Sequence, residues 1–115
     1  MKEGLMSLIT EGSRIEGKVS FNGSVRIDGT IDGEIVATEK VIVGNTGHIK
    51  GKVKCQSFTS SGKCEGTFEV AELTELLKGA TLEGELSCKK LIVEEGVILD
   101  GNVMMKERKF TKKEG

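Results

Sequence analysis

The sequence predicts an all-β fold, a single-domain β-solenoid of about six coils of about 17 residues with a roughly triangular cross-section. Three observations carry this. A five-residue phrase with apolar ends, a central glycine and polar residues between recurs six times, its glycines 15 to 18 residues apart. A second glycine column precedes the first by four or five residues. Apolar and polar residues alternate strictly through each phrase and beyond it.

The phrases are Ile15-Glu16-Gly17-Lys18-Val19, Ile31-Asp32-Gly33-Glu34-Ile35, Ile49-Lys50-Gly51-Lys52-Val53, Cys64-Glu65-Gly66-Thr67-Phe68, Leu82-Glu83-Gly84-Glu85-Leu86 and Leu99-Asp100-Gly101-Asn102-Val103. A spacing of i to i+4 also occurs on helices, but a helix-interior glycine costs about 0.8–1 kcal/mol and every copy has one. Alternation continues through Phe21, Ala37, Cys55, Val70, Cys88 and Met105, so each copy reads as a strand with one face buried. The central glycine then falls on the inward side, at a bend with no room for a side chain.

Gly12, Gly29, Gly47, Gly62, Gly79 and Gly96 read as corner turns, where positive φ is expected. A short apolar pair follows most phrases: Val25/Ile27, Val41/Val43 and Leu91/Val93, with Phe58 in that role once. Each coil is thus three short runs joined by tight bends. Six coils at a strand spacing of about 4.8 Å predict a rod about 29 Å long. Residues 71–79 fit least well. Leu73, Leu76 and Leu77, closed by Lys78-Gly79, have helical spacing. Strand and corner is the expectation, because the coil needs these residues to close.

At 115 residues and 37% hydrophobic content the chain holds enough apolar material for one core. Aromatics are four phenylalanines, and proline is absent, as suits a backbone whose N–H groups serve inter-coil ladders. The expected organisation is an N-terminal tail over 1–12, a β-helix domain over 13–105 and a basic tail over 106–115. That last segment has five basic and two acidic side chains in a chain of net charge −1. Leu5, Met6, Leu8 and Ile9 form an apolar cluster far short of the about 20 residues of a membrane span. No secretory signature accompanies them, so a cytoplasmic protein is expected. The cluster either caps the first coil or touches a membrane surface.

Cys55 and Cys88 share a column two coils apart, about 9.6 Å, beyond disulfide reach. With Cys64 in another column, all three read as small core residues of a reducing compartment. The single histidine, His48, sits on a polar position and is expected to face solvent. One histidine cannot furnish a three-histidine zinc site, and no triad order, phosphate loop or nucleophile elbow is present. The expectation is no enzyme, no cofactor and no metal. Glu16, Asp32, Glu65, Glu83 and Asp100, with Lys50, share an outward column that reads as a solvated face. A net charge of −1 and the lack of a basic aromatic surface argue against nucleic acid.

Three stretches carry a family resemblance: Ile27-Asp28-Gly29-Thr30-Ile31-Asp32-Gly33-Glu34-Ile35, then Val41-Ile42-Val43-Gly44, then Gly47-His48-Ile49-Lys50-Gly51-Lys52-Val53. With the opening Leu8–Gly17, this ordered series resembles the bactofilin family over about residues 8–105. The resemblance implies a right-handed β-helix that polymerises without nucleotide into nonpolar filaments, often at the membrane. It also implies scaffolding of cell-wall or cell-shape proteins. Many members carry proline-rich flanks, whereas the flanks here are short and proline-free.

Solenoid ends are open ladders that monomeric solenoids normally cap, and no cap is evident here. Ends that pair repeatedly give filaments, so the chain's expected partner is itself. Ile15, Val19 and Phe21 at the first end, and Val103, Met105 and Phe110 at the last, are the expected polymer interface. Two alternatives stand beside this: a non-polymerising adaptor presenting a charged face to a protein partner, and a small left-handed β-helix acyltransferase. The glycine spacings do not hold the six-residue register of the acyltransferases.

Overall fold

The computed structural model describes residues 6–113 and places them in eleven strands: β1 (Met6–Ile9), β2 (Arg14–Phe21), β3 (Ser24–Ile27), β4 (Thr30–Ala37), β5 (Lys40–Val43), β6 (His48–Cys55), β7 (Ser57–Ser60), β8 (Lys63–Val70), β9 (Leu73–Leu76), β10 (Thr81–Glu94) and β11 (Ile98–Lys113). Every pairing among them is parallel. Eight-residue strands stack as β2, β4, β6 and β8, and four-residue strands as β1, β3, β5, β7 and β9. In β10 the two series join: residues 81–87 pair with β8 and 90–93 with β9. The last rung is β11, which pairs only with β10. The result is a β-solenoid of about six turns, each with a long strand bent at glycine and a short third side.

Strand register matches the columns read from the repeats. Ile15, Ile31, Ile49, Cys64, Leu82 and Leu99 align, as do Val19, Ile35, Val53, Phe68, Leu86 and Val103. Interior members of both columns are buried. The third side contributes Val25, Val41, Phe58, Thr74 and Leu91 in one column and Ile27, Val43, Ser60, Leu76 and Val93 in the next. Phe58 and Phe68 meet across the interior with ring centroids 5.4 Å apart at 43°. Such a pair adds about 0.5–1.5 kcal/mol beyond its burial. The overall extents are 31 × 31 × 24 Å, so the expected rod is a block as wide as it is long.

The bend glycines have φ between +112° and +145°, a region hostile to L side chains. A Cβ on Gly51 would also overlap the carbonyl oxygen of Gly33 in the coil beneath. Close stacking of bent backbones therefore requires glycine twice over. The corner column divides, contrary to the expectation of positive φ throughout. Gly12, Gly79 and Gly96 are positive, but Gly29, Gly47 and Gly62 are not. Those three are excluded from carrying a side chain by crowding: a Cβ on Gly47 would lie 2.5 Å from the Ile27 carbonyl oxygen.

Residues 71–79 form strand and corner, not helix. The backbone N–H groups of Ala71, Glu72 and Leu77 donate to the carbonyls of Cys55, Gln56 and Ser60 at 2.8–3.0 Å, one coil below. Inter-coil bonding overrides the local helical spacing. Pairing also reaches into both flanks, through β1 before the first phrase and through residues 109–113 after the last.

Candidate assembly interface

Each interior rung is covered above and below, and the two terminal rungs are not. Among the described residues β2 pairs only with β4, so its inward residues Ile15, Val19 and Phe21 are half-buried. Their counterparts one coil on, Ile31, Ile35 and Ala37, are buried. The last rung repeats the pattern: Val103 and Met105 are half-buried, while Leu86 and Cys88 beneath them are buried. Column position alone determines these differences. Val97 and Leu99 share the terminal exposure, and sequence reasoning did not single them out. Leu99 was legible, since it stands in the column of Ile15.

Both ends also present strand edges. The outer edges of β2 and β11 lack ladder partners among the described residues, leaving a row of N–H and C=O groups ready to pair. Phe110 pairs with Leu91, which puts its backbone in the terminal rung of the third side. In the N-terminal cluster Leu5 lies outside the described residues, and Met6 opens β1 opposite Ser24. Ile9 is buried against Ile27, whereas Leu8 is 58% exposed. The cluster is thus split by strand alternation into a core residue and an outward one.

Glu16, Asp32, Lys50, Glu65, Glu83 and Asp100 do form one outward column, and ion pairs tie Glu16, Asp32 and Glu65 within it. Arg14 reaches both Glu16 at 3.0 Å and Asp32 at 3.6 Å. His48 Nε2 lies 3.3 Å from Glu65 Oε2 and Lys63 Nζ 3.6 Å from the same oxygen. His48 is therefore half-buried against Glu65 rather than free in solvent. Its hydrogen bond, helped by Lys63, holds the Glu65 carboxyl below the usual carboxylate range. Lys52 and Glu69 bridge neighbouring coils at 3.6 Å. Exposed pairs of this kind orient the face more than they stabilise it.

All three cysteines are free and buried. Burial pushes the thiols of Cys55 and Cys64 up to about 12 and raises that of Cys88. Their burial makes them small apolar members of the core. Among the described residues no group of three or more His, Cys, Asp or Glu side chains is placed to hold a metal ion, and no helix is long and apolar enough to cross a membrane. What the arrangement offers, among the described residues, is an uncovered apolar rung and an unpaired strand edge at each end of a parallel ladder.

Residues 7–104 match the family model for bactofilin, described as polymer-forming cytoskeletal. The chain belongs to the bactofilin family. Among curated bactofilins it is 26% identical over 96 residues to BacO of Myxococcus xanthus (strain DK1622), covering 82% of this chain and 76% of BacO. To BacP of the same organism it is 24% identical over 91 residues, covering 79% of this chain but only 38% of BacP. It superimposes on the atomic structure of the cytoskeletal bactofilin BacA, determined by solid-state NMR, with a TM-score of 0.81 and 26% identity. That match covers 91% of this chain and all of BacA as solved. The role of this bactofilin is accordingly structural and cytoskeletal, within a family that self-associates.

Proposed function

We propose that this bactofilin assembles end to end, without nucleotide, into filaments that scaffold cell-shape or cell-wall proteins. Uncovered terminal rungs are the observation that carries the reading: Ile15, Val19 and Phe21 at one end, Val103, Met105 and the rung bearing Phe110 at the other. Joining two ends would bury these side chains and extend the ladder, and both changes favour assembly. Negative-stain electron microscopy with a pelleting assay, in nucleotide-free buffer, tests it. Long thin filaments are the expected result. A discrete monomer or small oligomer across salt and concentration would overturn it in favour of a non-polymerising adaptor.

A peripheral position at the inner face of the membrane is a second part of the proposal, supported by the outward, exposed Leu8 beside Met6 and Leu5. A few such side chains bind weakly one copy at a time, but a filament presents many together. Replacing Leu5, Met6 and Leu8 with serine is expected to abolish liposome co-sedimentation while pelleting of filaments persists. Unchanged co-sedimentation would remove this membrane role.

A further inference from the structure

The third side of the solenoid has one rung more than the other two. It begins with β1, ahead of β2, and ends with residues 109–113 of β11, which pair with Lys90–Glu94 of β10. A second copy continuing the ladder head to tail would lay its β2 on β11, with Ile15 over Leu99, Gly17 over Gly101, Val19 over Val103 and Phe21 over Met105. Its β1, which precedes β2 by one corner, would then fall on the edge of β10 at Lys90–Glu94. Residues 109–113 already occupy that edge. Two segments compete for one place.

We propose that the β10 edge at Lys90–Glu94 is a receiving site for β1 of a second copy, held closed by residues 109–113 of the same chain. The inference rests on the end-to-end reading above and adds its control. While the resident segment is docked, head-to-tail continuation is blocked, and the C-terminal end grows only against a like end. Once it leaves, polar growth opens.

Register and sequence support the exchange. β1 already pairs in parallel with β3, in the columns that Leu91 and Val93 share; it offers Ile9 at the position over Val93, and Ser7 over Leu91, where the resident segment registers Phe110. The resident segment instead registers Lys112 over Val93, in a column otherwise made of Ile9, Ile27, Val43, Ser60 and Leu76. It also registers Lys109 beside Lys90. Its approach is longer: residues 106–108 span a corner that Lys89 alone spans in the coil beneath.

The test is a disulfide across the head-to-tail junction. Neighbouring parallel strands lie about 4.8 Å apart, inside the about 4.4–6.8 Å Cα range of a disulfide. A tagged Val19→Cys chain is mixed with an untagged Val103→Cys chain under mild oxidant; the native cysteines are buried. In the full chain the mixed dimer is expected at background. In chains cut after Met105, and in the Phe110→Pro/Thr111→Pro chain, which keeps its length but loses a donor in either strand phase, it is expected to become the main crosslinked product. A strand-rich circular dichroism spectrum with a cooperative melt shows that these variants fold. A mixed dimer already abundant in the full chain overturns the proposal, as does its absence from both folded variants. Pelleting of the full chain separately reports whether end-to-end assembly itself holds.

Discussion

Val103 stacks directly on Leu86 in one inward column, yet Leu86 is 1% exposed and Val103 half-buried, because no rung follows it. One column thus holds a covered side chain and an uncovered one side by side. Leu86→Ala is expected to cost about 2–5 kcal/mol in urea unfolding. Val103→Glu is expected to keep a cooperative, strand-rich fold and to stop pelleting. Filaments persisting in Val103→Glu would remove that side chain from the interface.

Gly51 and Gly17 occupy equivalent bends with different surroundings. Gly17→Ala meets only backbone strain, about 1–3 kcal/mol. Gly51→Ala carries the same strain and drives a methyl into the Gly33 carbonyl, so its loss should be larger. Equal losses in denaturant titrations would show that coil spacing does not exclude the side chain.

Phe68 is buried and touches Phe58. Phe68→Ala is expected to destabilise by about 3–5 kcal/mol. A double-mutant cycle with Phe58→Ala should recover a coupling of about 0.5–1.5 kcal/mol. Strict additivity would mean that the rings share a cavity without interacting.

Glu65 titrates below an ordinary carboxylate because His48, first, and Lys63 favour its charged form. A lowered folded-state pKa contributes stability that is present above the unfolded value and lost as pH falls through the folded one. The carboxylate is at the surface, so the effect on unfolding is small and best read by NMR. In His48→Gln the Glu65 side-chain titration should move up toward the usual value. No movement would assign the shift elsewhere.

Cys55 and Cys64, with thiols pushed up to about 12, should resist a disulfide reagent at pH 8 in the native protein. All three cysteines should react once the chain is unfolded. Rapid native labelling of any one would show that its coil opens locally.

Much of this molecule was legible without coordinates because the deciding quantities are local. Alternation places Ile31, Ile35 and Ala37 on one face through the two-residue period of a strand, and the bend glycines announce a backbone that other residues resist. The six coils, their register and the column of outward acids follow from those two facts. Leu73, Leu76 and Leu77 were ambiguous, since spacing on one segment cannot register carbonyls waiting one coil below. The corner glycines looked alike in sequence, but crowding from neighbouring turns separates Gly47 from Gly79. His48 and Glu65, 17 residues apart, meet because a coil is about that long.

Sequence by itself determined the solenoid, since periodicity and glycine conformation are properties of single strands and bends. Only the tertiary structure decided which members of each repeating column are core and which are surface. Ile15 and Ile31 stand in equivalent phrases, and burial separates them because it depends on whether a further rung lies on each side. The extra rung of the third side, from β1 at one end to residues 109–113 at the other, belongs to that second class, for it arises from counting rungs around the coil rather than from either segment.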